Sequence, residues 1–315
     1  MMSFEEFVNA VVRRMEARLG DRYSVSVHEA LRNNSTVQSQ LVIKENGRLS
    51  GPAIYLEDQY ERYGQIPCSE QMDRILDNIS RLIEQQDEAL AEMEQCGDLL
   101  TDYQQVKEKI LFKLVNTKDN EEMLMGIPHI PYLDLSIVFY IFLSETEEGI
   151  MTANITNRHM EFWGVTVDEL YQAAQINTPE KMPVRFCSML DIFAEMTGLS
   201  KENLAGDWGE DMFQIQGNDD ASQLYVLSNQ AGIGGAAAIL YPGTLKTCAE
   251  ALKKNLYIIP SSVHEVLLAP YDEKTVTGEL AEMIQYINRE EVAREDWLSD
   301  HAYFYNYQDD SVIAV

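Results

Sequence analysis

An α+β protein in two lobes, with mixed or mainly antiparallel sheets and packed amphipathic helices, is what three features of this 315-residue sequence predict. Stripes of apolar residues repeating every three or four positions alternate irregularly with short β-branched runs. Turn-forming residues separate several of those runs, which favours hairpins over parallel crossovers. Apolar residues make up 45% of the chain, enough at this length for a sizeable core. We place an N-terminal lobe at residues 1–125, built from a helix, a hairpin and a long helix, and a C-terminal lobe at 126–315.

Ser3-Phe4-Glu5-Glu6 fits the S-x-x-E capping box, in which hydroxyl and carboxylate satisfy free amides at a helix start. Phe4, Phe7, Val8, Val11, Val12, Met15 and Leu19 then fall in helical order, and Gly20 supplies the stop. Val25–Leu31 and Val37–Ile43 read as strands bridged by the turn-rich Arg32-Asn33-Asn34-Ser35. Pro52–Leu56 is a short extended piece, and Ser69 opens the longest helical pattern, which runs to Cys96. Residues 106–115 and 133–143 are expected strands, the second apolar on successive residues as if covered on both faces.

Thr166-Val167-Asp168-Glu169 repeats the capping box and opens a helix expected to end before Pro179. Leu224–Leu227 and Ala236–Tyr241 read as a hairpin around a glycine-rich turn, and Pro242 as the first turn of a further helix. Leu256–Ile259 and Val263–Leu268 are expected strands, followed by a helix over Val276–Ile287.

Charge narrows the function classes. The chain holds 52 acids against 24 bases, a net charge of -28. Residues 1–60 carry 8 acids and 7 bases, so nearly all the excess lies beyond them. Such a field repels phosphate backbones, which argues against direct nucleic-acid binding; it serves solubility first, and it can also attract a basic protein partner. The start, MMSFEEF, has acids where a secretory leader carries bases, and the longest apolar run, Leu133–Leu143, falls short of the roughly 20 residues a membrane helix needs. A cytoplasmic protein without membrane attachment is therefore expected. The four cysteines, Cys68, Cys96, Cys187 and Cys248, form no C-x-x-C pair and read as reduced thiols.

Several motifs begin a chemistry and do not complete it. Gly232-Ile233-Gly234-Gly235-Ala236-Ala237 fits the loose form of a dinucleotide fingerprint, but the following AAAILY before Pro242 is too short for the helix that would receive a pyrophosphate. His264-Glu265 begins H-E-x-x-H, yet position 268 is Leu268; His28-Glu29 fails likewise at Arg32. There is no G-x-S-x-G elbow. No metal and no cofactor are expected. If Val263–Leu268 is a regular strand, His264 and Glu265 point to opposite faces. The polar residues retained as a candidate pocket are Asn157, His159, Asn229, Ser262, His264, Asp300 and His301, with Asn157 also read as a helix cap.

The phrases AIYLEDQY (53–60), NITNRHMEFWGV (154–165), LYVLSNQAGIGGAAAILYPGTL (224–245), YIIPSSVHEVLL (257–268) and LSDHAYFY (298–305) carry a resemblance over nearly the whole chain. Together they resemble an uncharacterised family of Gram-positive gut anaerobes, domain of unknown function 5688. The resemblance implies a bacterial origin and a shared fold, and transfers no activity or ligand. The leading functional expectation is a non-catalytic protein-binding module. A hydrolase with a pocket near the 224–245 hairpin and the 257–268 strands, and an acidic mimic of nucleic acid, are the alternatives. Oligomeric state is not legible.

Overall fold

The computed structural model describes residues 2–47, 53–61, 72–84, 102–146, 149–198, 224–260, 262–271, 284–286, 288–289 and 292–315. It is α+β, and its three sheets are antiparallel. The chain forms two compact units, one of residues 1–105 with 142–153 and the other of 106–141 with 154–315. Residues 106–125 fall in the second unit because strand β4 within them pairs along β6.

In the first unit, helix α1 (Phe4–Leu19) starts at the expected capping box. The Glu6 amide donates to Ser3 Oγ at 3.2 Å, and the Ser3 amide to Glu6 Oε2 at 2.9 Å. Strands β1 (Tyr23–Leu31) and β2 (Val37–Glu45) pair over nine consecutive residues, and β3 (Ala53–Tyr55) adds to the other side of β2. The turn between β1 and β2 holds Asn34 and Ser35 at positive φ. A short α2 (Leu56–Gln59) follows. Helix α3 is described over 72–84; the rest of the pattern expected from Ser69 to Cys96 lies outside the described residues. Phe7, Val11 and Met15 of α1 meet Leu41 and Ile43 of β2 and Ile75 and Ile79 of α3 in one buried core. The apolar stripe of α1 predicts this, since positions four apart share a helix face.

In the second unit, α4 (Tyr103–Val106) leads to β4 (Ile110–Asn116), which starts four residues later than expected because a turn of 3₁₀ helix occupies Lys107–Lys109. After α5 (Glu121–Gly126), strands β5 (His129–Tyr132) and β6 (Leu135–Thr146) join β4 in the order β4-β6-β5; the end of β6 from residue 142 and its partner strand β7 (Gly149–Asn154), up to residue 153, count with the first unit. Helices α6 (Asn157–Trp163) and α7 (Val167–Lys181) follow. The six-stranded sheet runs β13-β12-β10-β11-β9-β8. Its strands are β8 (Val184–Ser188), β9 (Tyr225–Asn229), β10 (Leu256–Ile259), β11 (Val266–Pro270), β12 (Tyr303–Asn306) and β13 (Ser311–Ala314). Helix α8 (Met189–Thr197) follows β8, and α9 (Thr244–Leu252) precedes β10. The helix expected over 276–287 is described at 284–286, with 276–283 and 287 outside the described residues.

Four local expectations are corrected. Ala236–Tyr241 is not a strand: Gly235–Leu240 forms a 3₁₀ helix, so β9 has no hairpin partner there. Burial of Gly235 through Ile239 explains the change, since a tight coil of small side chains fills space against the sheet that a pleated strand would leave open. Pro179 lies inside α7, not after it. It stands three residues from the helix end, where its ring removes a single backbone bond, and the Thr178 hydroxyl donates to the Ala174 carbonyl at 2.6 Å beside it. Thr156, not Asn157, caps α6. His264 precedes β11 in a bend and is not a strand residue, so the alternation argument does not govern it.

Candidate functional site

The bend that carries His264 closes over the end of β9. Ser228 Oγ donates to the His264 carbonyl at 2.8 Å, and the Gly234 amide donates to His264 Nδ1 at 3.2 Å. An Nδ1 that accepts leaves the proton on Nε2, which donates to Asp296 Oδ1 at 3.1 Å. Both ring nitrogens are therefore engaged. Ser262 Oγ accepts from the His264 amide at 3.1 Å, a turn bond that places the hydroxyl against backbone. Asn229, buried, donates through Nδ2 to the Ile233 carbonyl at 2.8 Å and holds the glycine loop shut. In this arrangement His264 orients a loop, and it has no lone pair with which to take a proton from Ser262.

Asp134 forms a second polar node. It occupies the turn between β5 and β6, where Leu133 adopts a positive φ, and its backbone carbonyl accepts from the Thr117 amide at 3.1 Å. Its carboxylate collects three donors: Ser299 Oγ at 2.6 Å, Tyr303 Oη at 2.7 Å and His301 Nδ1 at 3.2 Å. Asn288, buried, fixes the same loop by donating to the Ser299 carbonyl at 3.0 Å and to Asp300 Oδ1 at 2.8 Å. Tyr303 is wholly buried, and burial together with the Asp134 charge pushes its phenol well above the ordinary tyrosine range. The His301 side chain is 63% exposed; with Nδ1 on the carboxylate, Nε2 is the nitrogen presented to solvent.

The segment from Arg294 to Tyr303 links these nodes. Arg294 pairs with Asp119 at 2.9 Å and lies over the Trp297 ring at 4.3 Å. Asn116 donates to the Leu298 carbonyl at 3.0 Å. One short stretch of chain thus sets Asp296 on His264 and Ser299, His301 and Tyr303 on Asp134.

Asn157 and His159 serve a third place, the start of α6. The Thr156 amide donates to His159 Nδ1 at 3.0 Å, and the His159 amide to Thr156 Oγ1 at 3.4 Å, so an imidazole takes the position that Glu or Gln holds in the usual box. Asn157 Nδ2 donates to the Met125 carbonyl at 3.0 Å. Burial lowers the His159 pKa from its ordinary value. Because the folded state favours neutral His159, its contribution to stability is present above the unfolded pKa and lost as pH falls through the lower folded one. Replacing it with Gln, which keeps the box and does not titrate, is expected to reduce the drop in melting temperature between pH 7.5 and 5.5. An unchanged drop by thermal denaturation would contradict that assignment.

The seven residues read from the sequence are thus distributed over three places: Asn229, Ser262 and His264; Asp300 and His301; Asn157 and His159. The partners that sequence reasoning did not select are Asp134, Asn288, Asp296 and Tyr303. Asp134 left a signal, as a charge interrupting the apolar run at 133–143. Asp296 left none, since its neighbours are ordinary surface residues.

A different kind of feature lies on three consecutive helices. Met125 on α5, Phe162 on α6 and Ile176 on α7 are 76%, 68% and 70% exposed, the three highest values among the large apolar residues described. Glu121 and Glu122 precede Met125 by one turn, Glu161 adjoins Phe162, and Glu180 follows Ile176 by one turn. Helix α6 has no buried residue at all.

Among the described residues, no three His, Cys, Asp or Glu side chains are placed to hold a metal ion, and no helix is long and apolar enough to cross a membrane. The fold and these nodes define an α+β protein of antiparallel sheets whose polar clusters tie loops to strand ends. The chain belongs to the family of unknown function DUF5688, whose model matches residues 4–307. No curated protein and no solved structure matches it.

Proposed function

We propose that this protein is a non-catalytic binding module whose partner is a basic protein. The observation that carries the reading is the run of exposed Met125, Phe162 and Ile176, each beside a carboxylate. Large apolar side chains left in water on successive helices supply contact area for an interface, and a carboxylate rim steers a cationic partner toward it. The net charge of -28 extends the same steering over the molecule. The polar nodes fit a structural role beside it, since His264 spends both ring nitrogens on holding two other loops, at Gly234 and at Asp296.

The test is capture from a lysate of the source organism at 50 and 500 mM salt, with wild-type protein and with a Met125→Ser/Phe162→Ser/Ile176→Ser variant. A species retained by the wild type, weakened at high salt and lost with the variant is expected. No retained species at either salt, or retention indifferent to the three substitutions, would overturn the reading. A second, enzymatic reading draws on His301 alone, whose Nδ1 is held by Asp134 while Nε2 meets solvent, the orientation of a general base.

A further inference from the structure

Four helices among the described residues open on a capping box, and one of the four is closed by a different kind of group. Glu6 closes the box at α1, Glu169 at α7 and Asp191 at α8, whereas His159 closes it at α6. A carboxylate ordinarily titrates at about pH 4 and an imidazole at about pH 6.5. The α6 box is therefore the one that a modest fall from neutral pH can undo.

Hydrogen bonding fixes the neutral ring in this box. The Thr156 amide donates to His159 Nδ1 at 3.0 Å, so Nδ1 holds a lone pair and the proton sits on Nε2. A second proton turns Nδ1 into a donor, and the Thr156 amide then faces a donor where it had an acceptor. It also sets a positive charge in the first turn, the end at which the helix dipole is already positive. Both effects oppose the helix. The ring stacks on Trp163 with 5.4 Å between centroids, and burial places its titration on the acid side of the ordinary imidazole value. Charged residues stand on all three helices, Glu121 and Glu122 on α5, Arg158 and Glu161 on α6, Asp168 and Glu169 on α7, yet burial is the cause of that displacement, and Glu169 is spent on its own box.

Little else holds α6 in place. It is seven residues long with none of them buried, and a helix of that length is marginal in water without its caps. Helix α7, by contrast, buries Leu170, Ala173, Ala174 and Thr178. The same first turn of α6 also reaches α5, where Asn157 Nδ2 donates to the Met125 carbonyl at 3.0 Å. The box thus positions Phe162 and steadies the end of the helix that carries Met125.

We infer that α6 is a proton-operated latch: protonation of His159 releases the helix and, with it, the placement of Met125 and Phe162, so that a partner held at neutral pH is let go in mild acid. The binding half of this inference rests on the reading of the α5 to α7 surface as an interface; the latch itself does not. By linkage, a partner that needs ordered α6 binds the neutral form of His159 and makes the ring harder to protonate.

Hydrogen exchange read by mass spectrometry on the full chain, at pH 7.5 and 5.5 with rates corrected for the intrinsic effect of pH, tests the latch without any partner. Protection over residues 160–165 is expected to fall about fivefold at pH 5.5, the factor for losing a helix cap, while that of α7 stays constant. In a His159→Gln variant, which keeps an acceptor in the box and does not titrate, α6 is expected to hold its protection at both pH values, and the α7 amides report that the variant is folded. Wild-type α6 protection that is equal at the two pH values, or a fall as large in the variant, would overturn the latch. Binding is read separately. A species retained by the wild type at pH 7.5 and lost with Met125→Ser/Phe162→Ser/Ile176→Ser is expected to elute from the wild type at pH 5.5 and to stay on the His159→Gln variant. Its retention by the wild type at pH 5.5 would overturn the coupling to the surface. Failure to retain any species at pH 7.5 would overturn the interface reading, and the exchange result still decides the latch.

Discussion

Replacing Gly235 with alanine is expected to lower the melting temperature by roughly 6–12 °C, equivalent to about 3 kcal/mol for a unit of this size. A Cβ built there would stand 2.2 Å from Ser228 Oγ, 2.4 Å from the His264 carbonyl oxygen and 2.7 Å from the Asn229 amide nitrogen. Two of those three atoms are backbone, belonging to β9 and to the His264 bend, so no side-chain rotation relieves the overlap. The bend would have to lift away, taking with it the Ser228 bond to the His264 carbonyl. Gly232 is the internal comparison. It has φ +67° but no atom within 4 Å of its built Cβ, so alanine there meets backbone strain alone, about 1 kcal/mol. Equal losses for the two variants by thermal denaturation would show that packing against the bend is not what Gly235 provides.

The second large effect is expected at Asp134. Asparagine there keeps the volume but has one acceptor oxygen for three donors, and its amide must face either Tyr303 or the Ser299 and His301 pair. A buried donor left facing another donor costs the desolvation of both, and we expect a loss of about 3 kcal/mol in denaturant unfolding. Tyr303→Phe alone is expected to cost about 1 kcal/mol, since it removes the donor and leaves Asp134 its other bonds. In the double variant the amide can turn toward the phenyl ring, so the losses should fall short of additive by about 1–2 kcal/mol. Additivity within about 0.3 kcal/mol would show that the hydroxyl and carboxylate do not act as a pair.

Much of the fold can be read from local pattern, and the comparison shows where that ends. The capping boxes at Ser3 and Thr166, the nine-residue hairpin of β1 and β2, and the buried strand β6 rest on neighbours within a few residues, which is the range over which periodicity and turn chemistry act. The box at Thr156 escaped because a histidine fills the glutamate position. Ala236–Tyr241 escaped because a small apolar run fits a strand or a tight coil equally well, and the choice is made by contact with β9 and the His264 bend. The polar nodes lie further still from sequence logic. His264 could be picked out by its residue type, but Asp296 lies 32 positions away and Asp134 is 165 positions from Ser299. No local propensity encodes a partner at that separation; the sheet order does.

That last distance governs the moment at which the second unit can be finished. During synthesis at about 5–20 residues per second, Asp134 is added to the chain roughly 8–33 s before Ser299 is. For that interval its carboxylate has none of the three donors that later surround it, and the turn between β5 and β6 waits on water. The stretch from Arg294 to Tyr303 arrives near the end of the chain and engages Asp119, Asn116, Asp134 and His264 in quick succession. It works as a late clasp, so a chain stalled before residue 294 would carry this unit's strands up to β11, without β12 and β13, and lack the fastening that holds their loops.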